Sequence, residues 1–129
     1  MRIEHIAIWT NQLERLKDFY VKYFNAKAGD KYTNSTKKFE SYFLSFDKGC
    51  RLEIMHKPSI PENLNDIQEQ YMGLIHFAIS VGSKNKVLSI TERLREDGYE
   101  IIGEPRTTGD GYFESVILDP DGNRVEITV

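Results

Sequence analysis

The chain alternates between two hydrophobic periods. Residues 2–9 alternate every second position and are rich in Ile and Ala, which predicts a strand. On that period Ile3, His5, Ala7 and Trp9 share one face, and Glu4, Ile6 and Ile8 the other. Thr10 or Asn11 is placed to cap a helix. Leu13, Leu16, Phe19, Tyr20, Tyr23 and Phe24 recur at helical spacing, predicting a helix over 12–24 that ends at a left-handed Asn25. A short strand near 27–33, a polar loop, a strand over 39–46, a turn at Asp47-Lys48-Gly49 and a strand over 50–56 follow. This half reads βαβββ.

Residues 57–72 hold two of the four prolines and are mostly polar, predicting a linker with a helical turn near 64–70. The pattern then restarts. A strand over 73–81 precedes a helix over 84–97, capped by Ser83 and stopped by Gly98, with Val87, Ile90, Thr91 and Leu94 on its apolar face. Strands follow near 99–104, over 112–118 and over 123–129. The expected organisation is one domain spanning 1–129, with modules 1–56 and 73–129 joined by the linker 57–72. Phe39-Glu40-Ser41 opens one stretch of the first module, and Phe113-Glu114-Ser115 its counterpart. Internal repetition of this kind constrains the fold before any family is considered.

The repeat carries chemistry. Each module has a His in its first strand (His5, His76) and a Glu in its last (Glu53, Glu126), set in Arg-apolar-Glu-Ile. Strand parity puts Glu53 on a face with Arg51 and Met55, and Glu126 on a face with Arg124 and Thr128, opposite apolar positions suited to packing under the helices. Converging carboxylates on a concave sheet repel unless a cation lies between them. Two imidazoles and two carboxylates suit a divalent first-row metal, balance its charge, and leave two octahedral positions open. The third histidine, His56, falls on the opposite side from Glu53 by the same parity.

Composition narrows the setting. With 129 residues, 40% hydrophobic and 29% charged, the chain resembles ordinary globular proteins. A net charge of −3 with no basic run argues against a nucleic-acid partner. No apolar stretch approaches a membrane span and no signal-peptide core is seen. A single cysteine, Cys50, forms no internal disulfide and reads as a small strand residue, so a cytoplasmic setting is expected.

The stretches Ile3-Glu4-His5-Ile6-Ala7-Ile8, Phe19-Tyr20…Tyr23-Phe24, Gly73-Leu74-Ile75-His76-Phe77-Ala78 and Asp119-Pro120-Asp121-Gly122-Asn123-Arg124-Val125-Glu126 together resemble the vicinal oxygen chelate superfamily, also called the glyoxalase/bleomycin-resistance/dioxygenase group. The resemblance covers essentially the whole chain. It implies an α+β fold in which two βαβββ modules form a cup around one divalent metal ion, Ni, Co or Zn, held by His5, Glu53, His76 and Glu126. Glu at the second ligand place is most like glyoxalase I, a lyase/isomerase acting on a hemithioacetal through a metal-bound enediolate. That likeness implies Glu126 as the base and Glu53 as its partner. It also implies a small-molecule substrate and a homodimer. Trp9 is a candidate for stacking on substrate, and Arg51 and Arg124 for binding an anionic one. Two departures leave the thiol cosubstrate open. Trp9 stands near where glyoxalase I usually carries Arg, and Met55-His56-Lys57-Pro58-Ser59-Ile60 replaces a segment that helps hold glutathione there. The alternatives are an epimerase acting beside an acyl thioester and a non-catalytic antibiotic-binding module.

Overall fold

The computed structural model describes residues 1–129. It divides into two units, Met1–Asn63 and Leu64–Val129, each built as a sheet with one helix packed on one face.

In the first unit the strands are β1 (His5–Trp9), β2 (Lys27–Ala28), β3 (Tyr32–Asn34), β4 (Phe39–Ser45) and β5 (Arg51–His56), with α1 (Leu13–Phe24) between β1 and β2. The sheet order is β1-β5-β4-β2, and β3 also pairs β4. The expected single strand near 27–33 is thus two short pieces, parted around Gly29-Asp30, whose ladder is continued by the Gly29 amide donating to the Phe43 carbonyl at 2.9 Å. The six apolar residues predicted for the helix stripe are the six that α1 buries. They pack on β4 and β5, where Leu44, Leu52 and Ile54 are buried. Each such side chain removed from water contributes roughly 1.5–3 kcal/mol. Gln12, not Thr10 or Asn11, occupies the N-cap position and makes no side-chain cap bond. Thr10 turns the chain instead, its Oγ1 accepting from the Gln12 amide at 2.9 Å. Asn25 ends the helix at φ 53°, as its position predicts.

The second unit has β6 (His76–Ser80), α2 (Lys84–Glu96), β7 (Ile101–Thr107), β8 (Phe113–Leu118) and β9 (Arg124–Thr128), in sheet order β6-β9-β8-β7. Ser83 caps α2, its Oγ accepting from the Lys86 amide at 3.3 Å. Val87, Thr91 and Leu94 are buried against the sheet beside Ile117, Val125 and Ile127. Thr91 Oγ1 donates to the Val87 carbonyl at 2.7 Å and lies 2.7 Å from Ser115 Oγ, so two buried hydroxyls satisfy each other. Strand β7 runs three residues further than expected, through Pro105. It lies at the sheet edge, where a missing amide costs no ladder bond, and its register shifts on both sides of Gly103. A hydrogen-bonded turn forms at 67–69, within the stretch where a helical turn is expected. Asp66 Oδ1 accepts from the amides of Gln68 and Glu69 at 2.7 and 3.0 Å, capping that turn at its start. No helix is long and apolar enough to cross a membrane.

The two units repeat one topology. In each, the first strand runs parallel beside the last, and the helix connects the first strand to the antiparallel remainder.

Candidate metal centre

Equivalent registers place the equivalent side chains. In the first unit His5 pairs Arg51 and Ala7 pairs Glu53. In the second, His76 pairs Arg124 and Ala78 pairs Glu126. In both units Glu therefore lies one strand across and two residues along from His, on the same face. Leu52 and Ile54, and Val125 and Ile127, point to the helix side and are buried. A turn fixes each register. In the second unit Asp119, 4% exposed, uses Oδ1 to accept from the amides of Asp121 and Asn123, and Gly122 takes φ 80° to complete the loop. The result pairs Leu118 with Arg124 and brings Glu126 beside His76.

His76 Nε2 lies 3.3 Å from Glu126 Oε1. His5 Nε2 lies 3.9 Å from Glu53 Oε2. The carboxylates are mostly covered, at 16% for Glu53 and 20% for Glu126, while the imidazoles are about two-fifths exposed. Two donors bound to one ion at about 2.0–2.2 Å, at angles between octahedral and tetrahedral, sit about 2.8–3.6 Å apart. The second pair already has that separation, and the first needs to close by about 0.3 Å or more. Each pair thus brings together two donors of types that divalent metals take. No group of three or more His, Cys, Asp or Glu side chains that could hold an ion forms in this structure.

The surroundings of the two pairs differ. His5 Nδ1 lies 2.5 Å from Glu4 Oε2. A carboxylate accepts, so the proton of that bond belongs to Nδ1, and Nε2 is left toward Glu53. Arg51 Nε donates to Glu4 Oε1 at 2.8 Å, and the guanidinium also lies 4.0 Å over the Phe43 ring. The hydrogen bond from His5 holds the Glu4 carboxyl below the usual carboxylate range; desolvation opposes it and Arg51 adds to it. Strand parity had put Glu4 on the far face from His5. The regular strand begins only at His5, so Glu4 is free of that alternation. The signal in the sequence was an acidic residue directly before the first His, where the second module has Ile75.

Arg51 is thus engaged by Glu4. Arg124 Nη2 donates to the Ile67 carbonyl. Trp9 is 42% exposed and meets Phe39 edge-on at 6.0 Å. His56 Nδ1 lies 2.9 Å from the Thr10 carbonyl. It borders a cavity of about 400 Å³ lined also by Gln12, Glu14, Lys31 and Glu40. None of His5, Trp9 and Glu53 lines that cavity.

The family model described as "Glyoxalase/Bleomycin resistance protein/Dioxygenase superfamily" matches residues 2–127. No curated protein matches the chain. Among solved structures, the trypanothione-dependent glyoxalase I of Leishmania major is 24% identical with a TM-score of 0.78, covering 99% of this chain and 86% of that one. Glyoxalase I from Zea mays is 24% identical with a TM-score of 0.79; it covers 98% of this chain, which spans only 44% of the maize one. A glyoxalase family protein from Enterococcus faecalis is 24% identical with a TM-score of 0.77, covering 99% and 97%. These likenesses establish the fold.

Proposed function

This chain belongs to the glyoxalase/bleomycin resistance protein/dioxygenase superfamily, and from that premise we propose that it is a metal-dependent lyase/isomerase of glyoxalase I type. The observation that carries the reading is the His/Glu pair repeated at the same register in two equivalent sheets. On this reading His5, Glu53, His76 and Glu126 hold one divalent ion, Ni, Co or Zn, and the two pairs come from one chain or from two chains of a homodimer. The ion would supply Lewis-acid stabilisation of negative charge on two neighbouring substrate oxygens. The likeness to glyoxalase I structures supports a hemithioacetal of a 2-oxoaldehyde as substrate.

The chain's own residues then have defined work. The Glu126 carboxylate takes the proton from the hydroxyl-bearing carbon and returns it to the adjacent carbonyl carbon. The hydroxyl proton of the first carbon passes to the former carbonyl oxygen of the second, so the first carbon ends as a thioester carbonyl and the second as an alcohol. No atom is gained or lost. Glu53, the equivalent residue of the first unit, is the partner for the opposite enantiomer. Limited exposure of both carboxylates keeps bulk water from competing for that proton. Trp9 offers an exposed aromatic face for the substrate's apolar part.

The test is turnover of methylglyoxal hemithioacetals, made with several thiols, by protein loaded with Ni²⁺, Co²⁺ or Zn²⁺. Thioester formation is expected with at least one thiol, and Glu126→Gln is expected to lower kcat by about 10²–10⁴-fold, the usual worth of a positioned base. Absence of turnover with every thiol and metal refutes the glyoxalase reading and leaves proton transfer beside an acyl thioester as the next substrate class.

A further inference from the structure

The two His/Glu pairs share a register but not a setting, and the difference is one residue. Before His5 stands Glu4; before His76 stands Ile75, which has no acceptor. Glu4 makes two bonds at once, one oxygen 2.5 Å from His5 Nδ1 and the other held by Arg51, with Arg51 Nε at 2.8 Å. Arg51 is itself placed by its amide, which donates to the Glu4 carbonyl at 3.0 Å, and by the Phe43 face at 4.0 Å. Phe43 also meets the His5 ring edge-on at 5.4 Å. The imidazole is therefore held at its Nδ1 edge and along its side, with Nε2 toward Glu53.

We propose that Glu4, braced by Arg51, is a positioning residue that sets the proton of His5 on Nδ1 and presents Nε2 as a metal donor. This inference rests on the proposed metal reading of the His/Glu pairs. Which ring nitrogen can bind a metal is decided by the hydrogen bond the other one makes, and a carboxylate in that role both fixes the ring and raises its basicity. The second pair has no such brace, so the first unit's imidazole is the pre-organised ligand and His76 the adaptable one. Arg51 acts through Glu4 rather than as an anchor for an anionic substrate.

Two readouts test it, neither of them activity. ¹⁵N NMR of the imidazoles in metal-free protein reports which nitrogen of His5 is protonated. Calorimetric titration with Zn²⁺ and Ni²⁺ reports affinity. In wild type the His5 proton is expected on Nδ1. In Glu4→Ala it is expected to lose that preference, and metal affinity to fall about 10- to 100-fold, the range for losing such a partner. Glu4→Gln keeps an acceptor oxygen, so it should retain the proton position and lose less affinity. Glu4 is half exposed and precedes the regular strand, so these variants remove no core contact. Equal affinity in wild type and Glu4→Ala, or an affinity loss with the His5 proton unmoved, overturns this inference alone. No metal uptake by wild type overturns the metal reading and this inference with it.

Discussion

Replacing Thr91 by Val keeps the shape of the side chain and removes one buried hydroxyl beneath the sheet that carries His76 and Glu126. Thr91 is 1% exposed and Ser115 is 0% exposed. Because Thr91 spends its proton on the Val87 carbonyl, Ser115 must donate to Thr91 across the 2.7 Å contact. Thr91→Val therefore strands the Ser115 donor in a dry core, costing about 1–3 kcal/mol. Ser115→Ala leaves Thr91 bonded to Val87 and costs less, about 0.5–1.5 kcal/mol. In the double variant no polar group is stranded. Its destabilisation should then fall below the sum of the singles by about 1 kcal/mol or more. Urea unfolding of the four proteins measures this cycle. The larger single change should also lower Tm by roughly 3–5 °C per kcal/mol for a domain of this size. Additivity within about 0.3 kcal/mol would mean the hydroxyls are not a coupled pair, and the reasoning fails.

A homodimer whose metal site takes one pair from each chain predicts complementation. His5→Ala and His76→Ala chains, each inactive alone, should regain roughly a quarter of wild-type activity when unfolded and refolded together, since half the dimers are mixed and each carries one intact site; no recovery places both pairs within one chain. A third expectation concerns acid. The bond from Lys17, then those from Tyr42 and Lys31, hold the Glu14 carboxyl down from 4.5 to about 2. A depressed carboxylate stabilises fully above its unfolded value, and that contribution is lost as pH falls through the folded value. Glu14 is half exposed, so solvent screening limits the effect to about 1 kcal/mol or less. Glu14→Gln should flatten the fall in stability between about pH 4.5 and 2 and leave the slope above pH 6 unchanged, as read by thermal melts across pH.

Periodicity and parity settled much of this protein before any coordinates. The helix stripe from Leu13 to Phe24, the left-handed stop at Asn25, the Ser83 cap and the apolar faces of β5 and β9 are local properties, dictated by side-chain spacing within a few residues. The doubled His and Glu are equally legible, because a repeated topology puts repeated residues at repeated register. What the linear pattern misplaced were features where short-range chemistry competes with it. Gly29-Asp30 split a strand, and Pro105 stayed in a strand because that strand lies at an edge. Only the tertiary structure revealed that Glu4 leaves the alternation to reach His5 and Arg51. It also separated two arginines that look alike in sequence, one braced on Glu4 and one on the Ile67 carbonyl. Those partners lie 47 and 57 residues away along the chain, a distance over which no local preference acts and only the folded backbone decides who meets whom.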